Sequence, residues 1–581
     1  MDVEALTPSP RPRQRRESPS PDGRGTSLLP LILTVLLTAL WTAIAWSDLA
    51  ALRLPDPDDM LRLASIRDWL DGQAFADPVQ QRLGPLGGTA LHWSRLPELV
   101  PAFLIGLLSP LMGVTRAELA AVIFWPELLL FLHLLLTGAL ARRLGGAATA
   151  PIAMALAALA FPAIDLFLPG RIDHHGLQLV LVEAVLLALL TERALIAGLA
   201  TAASIVVGVE TVPALAAAML WLLVGWVRDR RAIAGFGAGI LITALVAFAL
   251  LRPSIWPAAR CDGFTPPVFA MLLMGGGFWL VLAGLAPRLP DRQWRGGAAL
   301  LLAALVLAAG WIAAPACFGS PYGPADPLLA LAWPAQVGEM GGVLRQSPGM
   351  LIAWLGLPLV GFAAAVWLAR RERSAGAILL AMVIGVALLT TLLQLRGAWI
   401  AAALAAPVLA QLIGASLKRG VAWQVGAWIV SLGLLWSSVG ELISPPAPSC
   451  ADRQTLAGLD RLETGSFAAP MELSAYLIGA TQHRSLGGPY HRNLAGNRAL
   501  AELFRAAPNA AAYQASLWGV QYVALCPTGT GGLPAALRRP GGLADHLLNG
   551  ATPDWLDPVP LVGSDLLVWR VEPIAAPRLR P

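Results

Sequence analysis

Apolar residues run in long unbroken stretches along most of this chain, and polar residues are confined to short gaps between them. Stretches near the ~20 residues that a helix needs to cross a bilayer core read as membrane spans. They fall at 28–47, 118–141, 147–163, 175–191, 194–209, 211–227, 232–251, 267–287, 296–314, 350–369, 375–394, 397–417 and 421–443. A further run, 97–113 (PELVPAFLIGLLSPLMG), is short and interrupted by Pro97, Pro101 and Pro110. After residue 443 the pattern changes. Pro445, Pro446 and Pro448 open a tail in which QYVALCP (521–527) and DLLVWRVEP (565–573) read as strands, and 452–463 and 495–506 as helices. Residues 1–27 are polar, rich in Pro, Ser and Arg, and read as a disordered basic tail. The long apolar stretch behind them has no clear small-x-small cleavage site, so it reads as an uncleaved first span rather than a signal peptide.

Composition agrees. Of 581 residues 56% are hydrophobic and 13% charged, against roughly 25% charged in a soluble domain. The sequence pI near 9.4 does not mark a nucleic-acid binder, because the basic residues form no patch beside aromatics. They set topology instead. If 97–113 lies along the outer interface, the basic N-terminus, Arg142–Arg143, Arg193, Arg228–Arg231, Arg288–Arg295, Arg370–Arg373 and Lys418–Arg419 share the cytoplasmic side. If it crosses, every basic loop after the first span lands outside. The expectation is a polytopic α-helical protein of a bacterial inner membrane, with about 13 spans in residues 28–443. Its N-terminus would be cytoplasmic, its first outer loop would cover 48–117, an outer mobile loop 315–349, and a small α/β domain, 444–581, would be periplasmic.

The four cysteines, Cys261, Cys317, Cys450 and Cys526, all fall on that outer side and show no metal-ligand spacing. An even number on the oxidising side predicts the pairs Cys261–Cys317 and Cys450–Cys526; four buried free thiols are the alternative.

Acidic residues at the outer surface of so apolar a chain call for a reason. LPDPDDMLRLASIRDWLDGQ (54–73) packs Asp56, Asp58 and Asp59 just after the first span. Close carboxylates repel, and a hard divalent cation such as Mg²⁺ or Mn²⁺ offsets that. A solvated N-cap cluster for a helix beginning near Met60 is the bland reading. FLPGRIDHHGLQ (167–178) sets Asp173, His174 and His175 at the next outer turn. There Asp173 is a plain N-cap or a ligand, and each His a metal ligand or base. WPAQVGEMGGVLRQSPG (333–349) is long enough to move as a lid and carries Glu339. Arg396, in LLQLRGAWI (392–400), stands where an anion binder or a snorkelling side chain would. In the tail, GGPYHRN (487–493) groups Tyr490, His491 and Arg492 as substrate contacts or as a structural turn. Glu183, inside an apolar span, reads best as an interhelical hydrogen-bond partner.

Together these motifs resemble the GT-C superfamily of membrane glycosyltransferases, most closely the catalytic subunit of oligosaccharyltransferase. The family's D-P-x-x-x-x-R motif is matched by Asp56-Pro57-Asp58-Asp59-Met60-Leu61-Arg62. Its G-x-x-D-N-E-G motif is matched in part by Gly170-Arg171-Ile172-Asp173-His174-His175-Gly176, and its V-x-E motif by Val337-Gly338-Glu339. His174 and His175 depart from the family's Asn–Glu, and the W-W-D-Y-G acceptor motif is absent, GGPYHRN standing in the tail instead.

The resemblance implies an inverting transfer of a sugar or oligosaccharide from a polyprenyl-(di)phosphate donor. The acceptor would be a lipid, glycan or protein. A divalent cation would be held by Asp56, Asp173 and Glu339. Arg396 would bind donor phosphate, with Arg62, Arg171, Tyr490, His491 and Arg492 as further substrate contacts. Asp56, Asp58, Asp59, His174 and His175 form the catalytic set, with Asp58 or Asp59 orienting the acceptor. Two rivals remain: a transporter or flippase of lipid-linked sugars, and a non-catalytic polysaccharide-assembly protein. The transporter would place ionisable groups near mid-membrane, where the sequence offers mainly Glu183.

Overall fold

A computed structural model describes residues 28–229, 231–251, 260–319, 326–329, 341–445, 449–527 and 532–572. The basic tail 1–27 and Glu339 lie outside the described residues.

The apolar runs fold as helices. Among the described residues seven are long and apolar enough to cross a membrane: Val114–Gly145, Val212–Asp229, Ala234–Leu251, Pro266–Arg288, Arg292–Ala313, Pro348–Glu372 and Gly397–Ser416. The pair Val421–Ser431 and Gly433–Ile443, bent by 63°, makes an eighth if counted as one span. Leu29–Ile44, His175–Leu190, Ala194–Val207 and Ala375–Thr391 are apolar but shorter. The expected span 147–163 is corrected. Its α-helix covers only Thr149–Ala157, about 14 Å at 1.5 Å per residue, less than half a hydrocarbon core. The doubtful run 97–113 forms the helix Leu99–Met112, which turns through Gly113 directly into Val114–Gly145.

Gly397–Ser416 is the centre of the bundle, and nearly every side chain along it is buried. Its Ala398, Ala401, Ala402, Ala403, Ala405 and Ala406 let Pro348–Glu372, Ala375–Thr391 and Thr149–Ala157 pack closely against it. Arg292–Ala313 buries the smallest share of its length, 11%, and leaves Leu300, Leu301, Leu305 and Ile312 exposed, as a helix facing lipid tails would. Glu183 is fully buried and accepts from Thr137 Oγ1 at 3.0 Å, with His133 Nδ1 at 3.0 Å. It is an interhelical hydrogen-bond partner.

The C-terminal segment builds a mixed five-stranded sheet in the order β4-β3-β5-β7-β6. Its strands are β3 (Ser466–Ala468), β4 (Arg484–Ser485), β5 (Tyr522–Leu525), β6 (Leu556–Pro558) and β7 (Leu567–Val571); β1 (Val79–Gln80) and β2 (Thr89–Ala90) form a hairpin in the first loop. β3 runs parallel to β4 and β5, and β7 antiparallel to β5 and β6. All four β5 residues are buried, as a strand covered on both faces requires. The helices Arg453–Asp460 and Leu494–Arg505 fall where the periodicity predicts them. Both cysteine pairs are joined, Cys261–Cys317 and Cys450–Cys526.

This segment is fused to the first loop. Ser485 N donates to Arg82 O and Gly84 N to Ser485 O, extending the β4 edge. Arg67 Nη1 donates to Gly479 O at 2.6 Å while its Nε and Nη2 grip Glu118 at 2.7 and 2.8 Å. Tyr476 Oη donates to Pro55 O at 3.0 Å. The helix Met471–Ala480 lies against the helix Pro57–Leu70 so closely that a Cβ on Gly479 would stand 2.6 Å from Met60 O and 2.9 Å from Met60 Cβ. Gly479→Ala must therefore push the two helices apart. The expected cost is about 1–3 kcal/mol, read as a lower melting temperature and faster proteolysis of the C-terminal segment; an unchanged melt would show that the contact is dispensable.

Candidate active site

Asp56 sits in extended backbone before Pro57, as a residue preceding proline prefers. Pro57 then opens the helix at its first position, where the missing N–H costs nothing. The helix thus begins at Pro57, three residues before the expected Met60. Asp56 is its N-cap, with Oδ1 accepting from Asp58 N at 2.9 Å. One carboxylate oxygen is spent on capping and the other, Oδ2, faces Arg171 Nη1 at 2.8 Å.

Arg171 comes from the turn that precedes the helix His175–Leu190. Gly170 has φ 95°, and a Cβ there would stand 2.7 Å from Pro55 Cδ, so only glycine lets this turn press against the first loop. The Arg171 guanidinium lies among three carboxylates: Asp56, Asp59 at 3.3 Å and Asp173 at 3.1 Å. Asp59, fully buried, also accepts from Ile172 N and Asp173 N, both at 2.8 Å. Asp173 Oδ1 accepts from His175 N at 3.0 Å, one residue ahead of His174, which is the N-cap of the helix His175–Leu190. Burial alone would raise the Asp173 carboxyl, but Arg171 and the two imidazoles outweigh it and hold the group well below the usual carboxylate range.

Behind this cluster stands a second one. His174 Nδ1 meets Arg62 Nη2 at 3.1 Å and its Nε2 meets Glu210 Oε1 at 3.4 Å. Burial, with His175 alongside, pushes His174 down to about 4, so it is neutral at neutral pH. Glu210 Oε2 accepts from Gln178 Nε2 at 2.9 Å, and Arg396 Nη1 lies 3.7 Å from Glu210 Oε1. Burial opposes the Glu210 charge, but His174, His175 and Arg396 keep its carboxyl well below the usual range.

Asp56, Asp59, Arg171, Asp173, His174, His175 and Arg396 are thus drawn together from three distant segments, with Glu210 from a fourth. The other expected contacts sit differently. Arg62, expected as a substrate contact, is fully buried. It donates to Ser94 O and Glu98, faces His174 and lies over the Trp93 ring at 4.6 Å. Tyr490 is buried edge-on against Trp93, with its hydroxyl toward Asp58. Arg492 grips Asp262 with Nε at 2.8 Å and Nη2 at 2.6 Å, and His491 Nε2 contacts the same carboxylate. That pair, expected as substrate contacts, joins the tail to the loop that carries Cys261 and Asp262.

The expected cation set of Asp56, Asp173 and Glu339 is not assembled among the described residues. Glu339 lies outside them, no three acidic, His or Cys side chains converge on one point, and Arg171 takes the position between the carboxylates. The donor chemistry, carboxylate oxygens with an imidazole nitrogen, nevertheless suits a divalent ion that accepts both. Beside the two aspartates, His175 Nε2 is buried without a hydrogen-bond partner, 4.0 Å from Asp173 Oδ2.

No protein-family model and no curated protein matches this chain. Solved structures do. The apo oligosaccharyltransferase of Archaeoglobus fulgidus superposes with a TM-score of 0.64 at 13% identity, over 86% of this chain and 70% of that one. The same enzyme, AglB, in complex with an inhibitory peptide and a dolichol-phosphate gives 0.64 at 13% identity, over 92% and 73%. Its complex with Zn and sulfate gives 0.58 at 13%, over 85% and 67%. The chain has the GT-C fold. Within that GT-C fold the clustered acids and histidines occupy loops at one end of the helices. Glu210 is the residue that the motifs missed. Its signal was present, because it is the lone charge in the break between the apolar runs 194–209 and 211–227.

Proposed function

We propose that this chain is an inverting glycosyltransferase acting on the outer face of a bacterial inner membrane, with its N-terminus cytoplasmic and its C-terminal α/β segment periplasmic. It moves a sugar or oligosaccharide from a polyprenyl-(di)phosphate donor to an acceptor. The observation that supports this reading is the convergence of Asp56, Asp59, Asp173, His174, His175 and Arg396, from three separate outer loops, at one end of a GT-C fold.

Each residue has work in that reaction. Arg396 pairs with the donor phosphate, exchanging its contact with Glu210 for a charge-assisted one. Asp58 orients the acceptor hydroxyl or amide. Burial, with His175 alongside, keeps His174 neutral, and Arg62 and Glu210 hold its ring in place. A divalent cation, Mg²⁺ or Mn²⁺, would be held by Asp56, Asp173 and His175, with Glu339 as a further acidic ligand; it would offset the negative charge that develops on the leaving phosphate.

Asp56→Asn and Asp173→Asn test this. Full-length protein in proteoliposomes, given a radiolabelled polyprenyl-phosphate hexose and a membrane extract as acceptor source, should transfer label. Each substitution should lower the rate on the order of 10²–10³-fold. Wild-type rates in both variants would eliminate the proposal.

A further inference from the structure

We infer that Glu210, acting through Gln178, is a positioning residue that fixes His175 with its lone pair on Nε2, facing Asp173. This rests on the reading of His175 as a cation ligand under Proposed function.

The inference follows from which groups can donate. A carboxylate only accepts, so the Gln178 group 2.9 Å from Glu210 Oε2 must be the amide NH₂. That fixes the amide orientation and turns Gln178 Oε1 toward His175 Nδ1, 3.4 Å away. An amide oxygen also only accepts, so Nδ1 carries the imidazole proton. In the neutral ring, the form that binds a metal, Nε2 is left with the lone pair. It is buried, has no hydrogen-bond partner, and lies 4.0 Å from Asp173 Oδ2.

The same carboxylate sets the neighbouring ring the opposite way round. Arg62 has no acceptor, so His174 Nδ1 must accept from Arg62 Nη2, and Nε2–H donates to Glu210. His174 thus spends both nitrogens inside the protein, and His175 keeps one for the site. Gln178 is buried, one helical turn after His174, and Trp399 packs on the His175 ring at a centroid distance of 4.7 Å, so neither side chain is loosely held. Partners of this kind fix tautomer and ring orientation in metal sites, and losing one weakens metal affinity by about 10–100-fold. Glu210 is absent from every motif that marks the site in sequence, and Gln178 only closes one of them, yet both histidines take their hydrogen-bond pattern from this pair.

The test uses full-length protein purified in detergent and Mn²⁺ as the probe. Affinity is read from the EPR signal of free Mn²⁺, and histidine ligation from ¹⁴N modulation in the electron spin echo of the bound ion. Wild type should show nitrogen coupling. Gln178→Met, which keeps side-chain volume but removes the amide, should lose that coupling and bind Mn²⁺ about 10–100-fold more weakly. Glu210→Ala should do the same, and Glu210→Gln should lose less, since its carbonyl can still accept from Gln178. Coupling and affinity unchanged in both Gln178→Met and Glu210→Ala would overturn the relay while leaving His175 a ligand. A wild-type spectrum without nitrogen coupling would remove His175 from the ligand set and the relay with it. Neither result depends on transfer activity, so the glycosyltransferase proposal stands or falls separately on the Asp56 and Asp173 variants.

Discussion

Replacing Arg171 with glutamine is expected to make the protein's stability depend on a divalent cation. In the structure the Arg171 guanidinium is the positive charge among Asp56, Asp59 and Asp173, at 2.8, 3.3 and 3.1 Å. Asp59 and Asp173 are almost wholly enclosed. Removing one partner of a buried ion pair leaves the other uncompensated, at a cost of about 3–5 kcal/mol. Asp56 is about a third exposed and adds little, because water screens it. A cation placed among the same oxygens would take over the neutralising role. Arg171→Gln should therefore melt well below wild type in EDTA and recover in millimolar Mn²⁺, whereas wild type should respond weakly to either. Arg171→Lys should fall between the two, since an ammonium is a point charge and cannot span three carboxylates as a guanidinium does. If Arg171→Gln melts with wild type in EDTA, the carboxylates do not depend on that charge, and Arg171 and a cation do not compete for one place.

The second large effect is expected at Asp262. Its carboxylate is nearly inaccessible and takes two bonds from Arg492 and one contact from His491. Burial opposes that charge, but the Arg492 and His491 bonds prevail and hold the carboxyl well below its usual range. Asp262→Ala strands the Arg492 guanidinium, which keeps only Leu91 O. The loss is again about 3–5 kcal/mol, concentrated where the C-terminal segment meets the membrane helices. Hydrogen exchange should rise across 487–493 and 89–93 while the sheet core at β5 stays protected. Asp262→Asn, which keeps the acceptor and loses the charge, should be milder. Equal exchange in Asp262→Ala and wild type would mean that the segment is held by its other contacts, such as Arg67 with Gly479.

Those two sites show what could be read from the chain and what could not. Asp56, Asp173 and His175 were legible because acids and histidines stand out against apolar runs, and because charge bias put them on one face. In the tail, β5 and β7 and the helices Arg453–Asp460 and Leu494–Arg505 were legible, whereas the two- and three-residue strands β3, β4 and β6 are too short to leave a pattern. The segment 147–163 was misread because composition cannot tell a nine-residue buried helix from a span. Tyr490, His491 and Arg492 were found as a cluster, but their partners decide their role. Asp262 lies more than 200 residues away, and nothing local in the sequence announces that meeting. Arg62 matched a motif and so invited a substrate role, yet its burial gives it to His174. Glu210 was passed over because one acid in a tight turn is an ordinary sight until Gln178, His174 and Arg396 are seen around it.

The contact of Tyr476 with Pro55 and of Arg67 with Gly479 links residues separated by 421 and 412 positions. During synthesis the stretch around Asp56 leaves the ribosome long before Tyr476 is made. The backbone that places Asp56 therefore gains this part of its support only once the last fifth of the polypeptide has been made. A truncated chain would carry every acidic and histidine side chain of the site and still lack the surface that Tyr476 and Gly479 supply.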